Sequence, residues 1–111
     1  MNALRYDSFQ AIADPNRREI LMMLSKEKRS INSIADEFNI SRPAVSKHIK
    51  VLYETGFITI EDRGRERMCS LQQTGFNDVQ DWINFFEKYW TMQLRGLDTF
   101  LKKTARKNKK G

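Results

Sequence analysis

The chain has 111 residues, of which 40% are hydrophobic and 31% are charged, so it can build one domain with a modest core. No apolar run approaches the roughly 18 residues of a membrane span, and the first residues do not resemble a secretion signal. Its one cysteine, Cys69, excludes an internal disulfide and a zinc-finger ligand set. We therefore expect a cytoplasmic protein without membrane contact.

The formal net charge of +6 comes from the C-terminal end of the chain. Six basic residues lie within the last ten positions, and without them 14 basic residues face 14 acidic ones. These six are Lys102, Lys103, Arg106, Lys107, Lys109 and Lys110. We expect residues 104–111 to be a basic, disordered tail that either adds phosphate attraction or has no special role. The net charge alone therefore does not indicate nucleic-acid binding, and the positions of the remaining charges matter more.

The N-terminal part of the sequence predicts three short amphipathic helices. The first spans Tyr6–Ala13, where apolar residues recur at helical spacing. Asp14, a favoured N-cap, precedes Pro15, a favoured first helical residue, so a second helix should begin there and end near residues 26–28. Ser30 can cap a third helix that ends near Phe38 and has a clean apolar stripe.

A fourth helix at Ser41–Thr55 follows after about three residues, and together with the third helix it predicts a helix-turn-helix. Ser41 is its N-cap, Pro43 is tolerated in its first turn, and Gly56 ends it. Its predicted buried stripe consists of Val45, Ile49 and Leu52.

After the fourth helix, the apolar pattern becomes typical of short strands. Residues 57–61 and 67–71 are β-prone and predict a two-stranded hairpin, with Gly64 at the bend. A long helix should then run from about Asn77 to Lys103. The predicted fold is mainly α with a small β-hairpin. It is a winged helix-turn-helix of about five helices plus a two-stranded wing, in one domain of residues 1–103.

The fourth helix has two unlike faces. Opposite the apolar stripe lie Ser46, Lys47 and Lys50, with Arg42 and His48 on the flanks. Such a face suits the major groove of DNA, because Arg and Lys donate to guanine and Ser bonds to bases or phosphate. The alternative is a solvated face on an ordinary core helix. His48, the only histidine, either contacts DNA or lies half-buried beside the turn.

The hairpin carries a basic tip formed by Arg63, Gly64 and Arg65. A hairpin beside a helix-turn-helix can contact the DNA backbone or the minor groove. Asp62 and Glu66 make this wing only mildly positive, and the alternative is a solvated hairpin tip. The order of the elements is more specific than either piece alone.

Three segments of the chain resemble the ArsR-type winged-helix repressor family. Phe9–Leu21 resembles the family's opening signature, Ser41–Leu52 its recognition helix, and Gly56–Ile58 the start of its wing. The similarity is closest to the metal-independent, autorepressor-like branch. It implies that Arg63 and Arg65 touch the DNA backbone. It also implies that five residues face the groove of double-stranded DNA, namely Ser41, Arg42, Ser46, Lys47 and His48.

Departures from the family bear on metal sensing. Metal-sensing members carry a Cys-x-Cys-type motif on the helix before the recognition helix, whereas residues 31–38 here contain neither Cys nor His. Other members bind zinc through Asp, His and Glu on the last helix, which here has Asp78, Asp81 and Glu87 but no histidine. Because soft metal sites need thiolate or imidazole ligands, we expect neither metal nor cofactor. Cys69 is either a small buried hydrophobe or a redox switch.

The last helix carries more large apolar residues than one small core can cover. An exposed apolar patch of this size usually marks an interface, so we expect a homodimer and a palindromic DNA site. The alternative is that this helix closes its own core. The predicted interface consists of Leu4, Phe9, Trp82, Phe86, Tyr89, Trp90 and Leu97.

The sequence has no phosphate loop and no evident catalytic constellation, so we expect no enzymatic activity. The predicted function is sequence-specific binding of double-stranded DNA and repression by occupancy of a promoter. A winged-helix module that docks to another protein is the main alternative, and a binder of RNA or unusual duplexes is a further one. No small-molecule or protein effector is indicated.

Overall fold

The computed structural model describes residues 6–110, with side chains described for residues 6–102. Over this range the chain forms five helices and three strands. They are α1 (Ser8–Ala11), α2 (Pro15–Lys26), β1 (Arg29–Ser30), α3 (Ile31–Asp36), α4 (Arg42–Glu54), β2 (Ile58–Arg63), β3 (Glu66–Leu71) and α5 (Thr74–Lys110). Within the described residues, no helix is both long and apolar enough to cross a membrane.

Side-chain caps set the starts of the first four helices. The three predicted caps are confirmed: Asp14 accepts from backbone N–H groups of α2, and Ser30 and Ser41 do the same for α3 and α4. The first helix is shorter than predicted, because Asp7 caps it and the backbone leaves the helix at Ile12.

The three strands form one antiparallel sheet in the order β1-β3-β2. The hairpin of β2 and β3 is the predicted wing, and Gly64 adopts φ +63° in its two-residue turn. Strand β1 was not predicted, because its two residues are too short to show an alternating pattern. Its Arg29 lies opposite Cys69 and its Ser30 opposite Met68.

The core lies between α2, α3, α4 and the sheet, and it includes the whole predicted stripe of α4. Val45, Ile49 and Leu52 are each at most 1% exposed. Phe57 is fully buried and meets the Phe76 ring edge-to-face, with centroids 4.8 Å apart. The start of α5 packs closely here: a Cβ on Gly75 would lie 2.7 Å from the Phe57 ring, so only glycine fits.

The chain divides into two compact units, Met1–Val79 and Gln80–Gly111. Helix α5 begins at Thr74 rather than Asn77, and it continues to Lys110, past the predicted end at Lys103. The backbone of residues 104–110 lies within α5. The basic, disordered tail at residues 104–111 stays a prediction. The domain boundary at residue 103 stays a prediction.

Candidate nucleic-acid interface

One face of α4 presents hydroxyl and cationic groups to solvent. The buried stripe of Val45, Ile49 and Leu52 fixes the rotation of this helix against the core, which leaves the opposite face outward. The exposed residues of this face are Ser41, Arg42, Ser46, Lys47 and Lys50. The structure therefore brings together all the predicted groove-facing residues except His48, which is half-buried.

Arg42 is engaged with α3 in this structure. Its Nη1 donates to Asn32 Oδ1 at 2.9 Å, and its Nη2 donates to Asp36 Oδ1 at 2.8 Å. Both side chains of the Arg42–Asp36 ion pair are more than 60% exposed. Exposed pairs of this kind contribute only about 0.2–1 kcal/mol, so Arg42 can exchange this partner for another at small cost.

The two lysines of the face differ in their surroundings. The Nζ of Lys50 lies 3.9 Å from Glu54 Oε1, one helical turn away. Lys47 forms no ion pair with any of the residues 6–102. Lys47 is therefore the unneutralised cation at the centre of the face.

The wing carries its free positive charge at the turn. Arg63 pairs with Glu61 at 3.6 Å, and Arg67 pairs with Asp62 across the hairpin at 3.3 Å. Arg65 lies in the turn itself and has no carboxylate partner among the side chains that the structure describes. Two of the three acids of the hairpin thus pair with strand arginines, whereas Arg65 at the turn and the adjacent Glu66 form no ion pair among the described side chains.

His48 lies on the flank of α4 that faces the start of α2. It is half-buried, and its Nδ1 lies 3.2 Å from Nη1 of Arg17. Arg17 is only 7% exposed, and it was not among the predicted site residues. The sequence nevertheless contains a sign that Arg17 is buried. Arg17 stands at helical spacing from Ile20, Leu21 and Leu24, so it falls on the apolar stripe of α2.

Asp14 caps α2 next to this pair. Partial burial raises the pKa of its carboxyl group, but hydrogen bonds from the backbone N–H groups of Asn16 and Arg17 oppose this effect. Together with the positive charge of the nearby Arg17 side chain, they hold the pKa of Asp14 below its ordinary value. The cap is therefore a carboxylate at neutral pH.

Cys69 is fully buried on β3, and burial raises the pKa of its thiol to about 11, against a smaller lowering by Arg67. A thiol in this state is a poor nucleophile, which favours the interpretation as a buried hydrophobe over that as a redox switch. Among the described residues, no group of three or more His, Cys, Asp and Glu side chains is arranged to hold a metal ion.

The residues predicted to form a dimer interface lie mostly in the second compact unit. The exposed members there are Trp82, Phe86, Tyr89, Trp90 and Leu97. Two ring pairs, Trp82–Phe86 and Tyr89–Trp90, meet edge-to-face with centroids 5.0 Å apart. In the first unit Phe9 is 40% exposed, and Leu4 lies outside the described residues.

The fold and this face of α4 define a winged helix-turn-helix transcriptional regulator. Residues 14–59 match the sequence profile of the bacterial regulatory proteins of the arsR family. The chain is 37% identical over 81 residues to the transcriptional repressor SdpR of Bacillus subtilis (strain 168), covering 72% of this chain and 90% of that protein.

Two further comparisons agree. The HTH-type transcriptional regulator Rv2034 of Mycobacterium tuberculosis is 32% identical over 89 residues, which cover 80% of each chain. The crystal structure of the ArsR family transcriptional regulator RHA00566 superposes with a TM-score of 0.69 at 33% identity, covering 76% of this chain and 87% of that one. This chain belongs to the ArsR family of DNA-binding transcriptional repressors.

Proposed function

We propose that the chain represses transcription as a homodimer on a palindromic operator, with α4 in the major groove and the hairpin tip on the adjacent backbone. The observation that carries this proposal is the outward face of α4, whose hydroxyl and cationic groups stand opposite a fully buried stripe. Bound in this way, the protein blocks access to the promoter by occupancy, and no catalytic step is needed.

Base reading falls to the exposed side chains near the start of α4. Arg42 exchanges its exposed ion pair with Asp36 for a bidentate contact to guanine, which is favourable because such a contact discriminates by about 1–3 kcal/mol. An exposed ion pair contributes only about 0.2–1 kcal/mol, and Asp36 returns to solvent without becoming buried. Ser46 and Lys47 supply further donors in the same groove.

Backbone contact falls to the wing. Arg65 is the hairpin cation without a described carboxylate partner, so it can neutralise a phosphate without first breaking an ion pair. Contacts of this type fix orientation and add affinity without sequence preference.

The second unit supports the homodimer. Trp82 and Trp90 are 55% and 57% exposed, and Phe85 is 67% exposed. Monomeric proteins rarely expose a contiguous apolar surface of this kind. Burial of each large side chain at a contact contributes about 1.5–3 kcal/mol, so a few of them stabilise a dimer. A second copy is the partner we propose, because a symmetric regulator must present two recognition helices to a palindrome.

A titration of the purified protein with duplex from its own promoter region tests the proposal. We expect tighter binding than to a scrambled duplex at moderate salt. Lys47→Ala should weaken binding, whereas Lys26→Ala, which removes an exposed cation at the end of α2, should not. Equal binding to both duplexes would overturn the proposal and favour a protein-interaction module.

A further inference from the structure

A buried arginine outside the predicted site contacts the recognition helix α4. The Nε of Arg17 donates to the carbonyl of Ala11 at 2.6 Å, and its Nη2 donates to the carbonyl of Gln10 at 3.1 Å. Its Nη1 reaches Nδ1 of His48 at 3.2 Å. One guanidinium group therefore joins the end of α1 to α4.

The direction of the Arg17–His48 hydrogen bond follows from the chemistry of the two groups. A guanidinium group has only N–H donors and no acceptor. Nδ1 of His48 must therefore accept, which requires it to carry no proton and places the ring proton on Nε2. Among the described residues, Nε2 has no hydrogen-bond partner, so its N–H remains available to a ligand.

The Arg17 group is held firmly where it stands. Its charge is buried, and a buried charge is stable only with polar partners and a counter-charge. The Asp14 carboxylate lies close enough for the charge of Arg17 to lower its pKa, and the Tyr6 ring lies 4.9 Å from the guanidinium carbon. The surroundings of Arg17 thus fix the position of its Nη1 before any DNA arrives.

We infer that Arg17 is a positioning residue that holds the His48 ring in the Nε2–H tautomer, with that N–H donated to a phosphate oxygen of the operator. The inference rests on the proposed DNA binding by α4. His48 lies on the flank of α4 beside α2, rather than on the outward face, so it meets the DNA backbone and not the base edges. A phosphate oxygen only accepts hydrogen bonds, and the tautomer fixed by Arg17 supplies the donor.

The tautomer is tested first, in the free protein. Because His48 is the only histidine, a long-range ¹H–¹⁵N spectrum of the labelled chain contains one imidazole. We expect a protonated Nε2, a hydrogen-bonded Nδ1, and a nuclear Overhauser effect between the Arg17 guanidinium protons and the ring Hε1 of His48. A proton on Nδ1, or no such effect between the two side chains, would overturn the inference. This readout does not depend on DNA binding, so it fails or succeeds separately from the proposed function.

A double-mutant cycle then tests the role in binding. Arg17→Lys should weaken operator binding about fivefold, and it should add little to the loss caused by His48→Ala, because both changes remove one contact. Arg18→Lys is the matched control: Arg18 donates to the carbonyls of Ile12 and Ala13 but does not reach His48. Additive losses for Arg17→Lys and His48→Ala would contradict the inference.

Two further measurements complete this test, namely the binding of His48→Ala to two duplexes and a check that Arg17→Lys folds. His48→Ala should weaken an operator duplex and a scrambled duplex by the same factor, as a phosphate contact requires, whereas a loss confined to the operator would overturn the phosphate assignment. Circular dichroism checks that Arg17→Lys folds. If Arg17→Lys does not fold, the ¹H–¹⁵N spectrum of the His48 ring in the wild-type protein tests the inference instead.

Discussion

The two compact units use aromatic side chains in opposite ways. In Met1–Val79, the Phe57 ring is fully buried and meets Phe76 edge-to-face at 4.8 Å. In Gln80–Gly111, Trp82 meets Phe86 in the same geometry at 5.0 Å, yet Trp82 is 55% exposed. The same ring geometry thus involves a fully buried ring in the first unit and an exposed ring in the second. The first unit therefore has its own buried core, and we propose that the exposed rings of the second unit contact a second copy of the chain.

We expect the largest effect on stability in Met1–Val79, the unit with the buried core. Phe57→Ala removes a fully buried ring, so the free energy of unfolding should fall by about 3–5 kcal/mol, independently of protein concentration. Phe85→Ala removes a ring that is 67% exposed, and its effect should appear only as a change in the concentration dependence of unfolding. Chemical denaturation at several protein concentrations measures both. If both variants lose the same free energy of unfolding at every protein concentration, the two units do not differ in this way.

The next largest effect should be on dimer formation through the exposed aromatic residues of Gln80–Gly111. Trp90→Ala should weaken the dimer by about 2 kcal/mol, or roughly 30-fold in the dissociation constant, because truncated aromatic anchors cost most at interfaces. Met22→Ala, which trims a 63% exposed side chain on α2, should leave association unchanged. Sedimentation equilibrium distinguishes the 13.1 kDa chain from its dimer. A wild-type protein that is monomeric at micromolar concentration would contradict the interface.

Within the DNA-binding unit, Arg42 and Arg65 should behave differently. Arg42→Ala should lose about 1–3 kcal/mol on the operator and relax its sequence preference, because a bidentate base contact is removed. Asp36→Asn, which frees Arg42 from its ion pair, should bind the operator at least as tightly as the wild type. A competition assay with single-base operator variants measures the preference. Loss of affinity without any change in preference would contradict a base contact by Arg42.

The smallest effect is expected at the hairpin tip. Arg65→Ala should weaken all duplexes alike and reduce the slope of log affinity against log salt by about 0.9, as expected for one lost phosphate contact. Arg67→Ala should change the slope less, because Arg67 already pairs with Asp62. A loss restricted to the operator sequence would show that Arg65 reads bases instead.

Much of the fold was predictable because its signals are local. Capping residues such as Asp14 and Ser41 and the apolar spacing of Val45, Ile49 and Leu52 depend only on near neighbours in sequence, and each was confirmed. The third strand was not predictable, because β1 is defined by its pairing with β3 about forty residues later in the chain rather than by any pattern of its own.

The site was predictable to a smaller extent. Periodicity identified which side chains of α4 face outward, but it carries no information about contacts between elements. The ion pair of Arg42 with Asp36 and the hydrogen bond of Arg17 with His48 both join different helices, so only the structure shows them. Arg17 is a charged residue at a position that the helical pattern of α2 predicts to be buried. A departure of this kind is visible in the sequence alone.

We propose that two copies of this chain place two recognition helices on one palindrome. Footprinting of the purified protein on DNA upstream of its own coding sequence tests it most directly. We expect two inverted protected half-sites with centres about 10–10.5 base pairs apart, or a multiple of that spacing. A single protected half-site, or protection that does not depend on sequence, would contradict it.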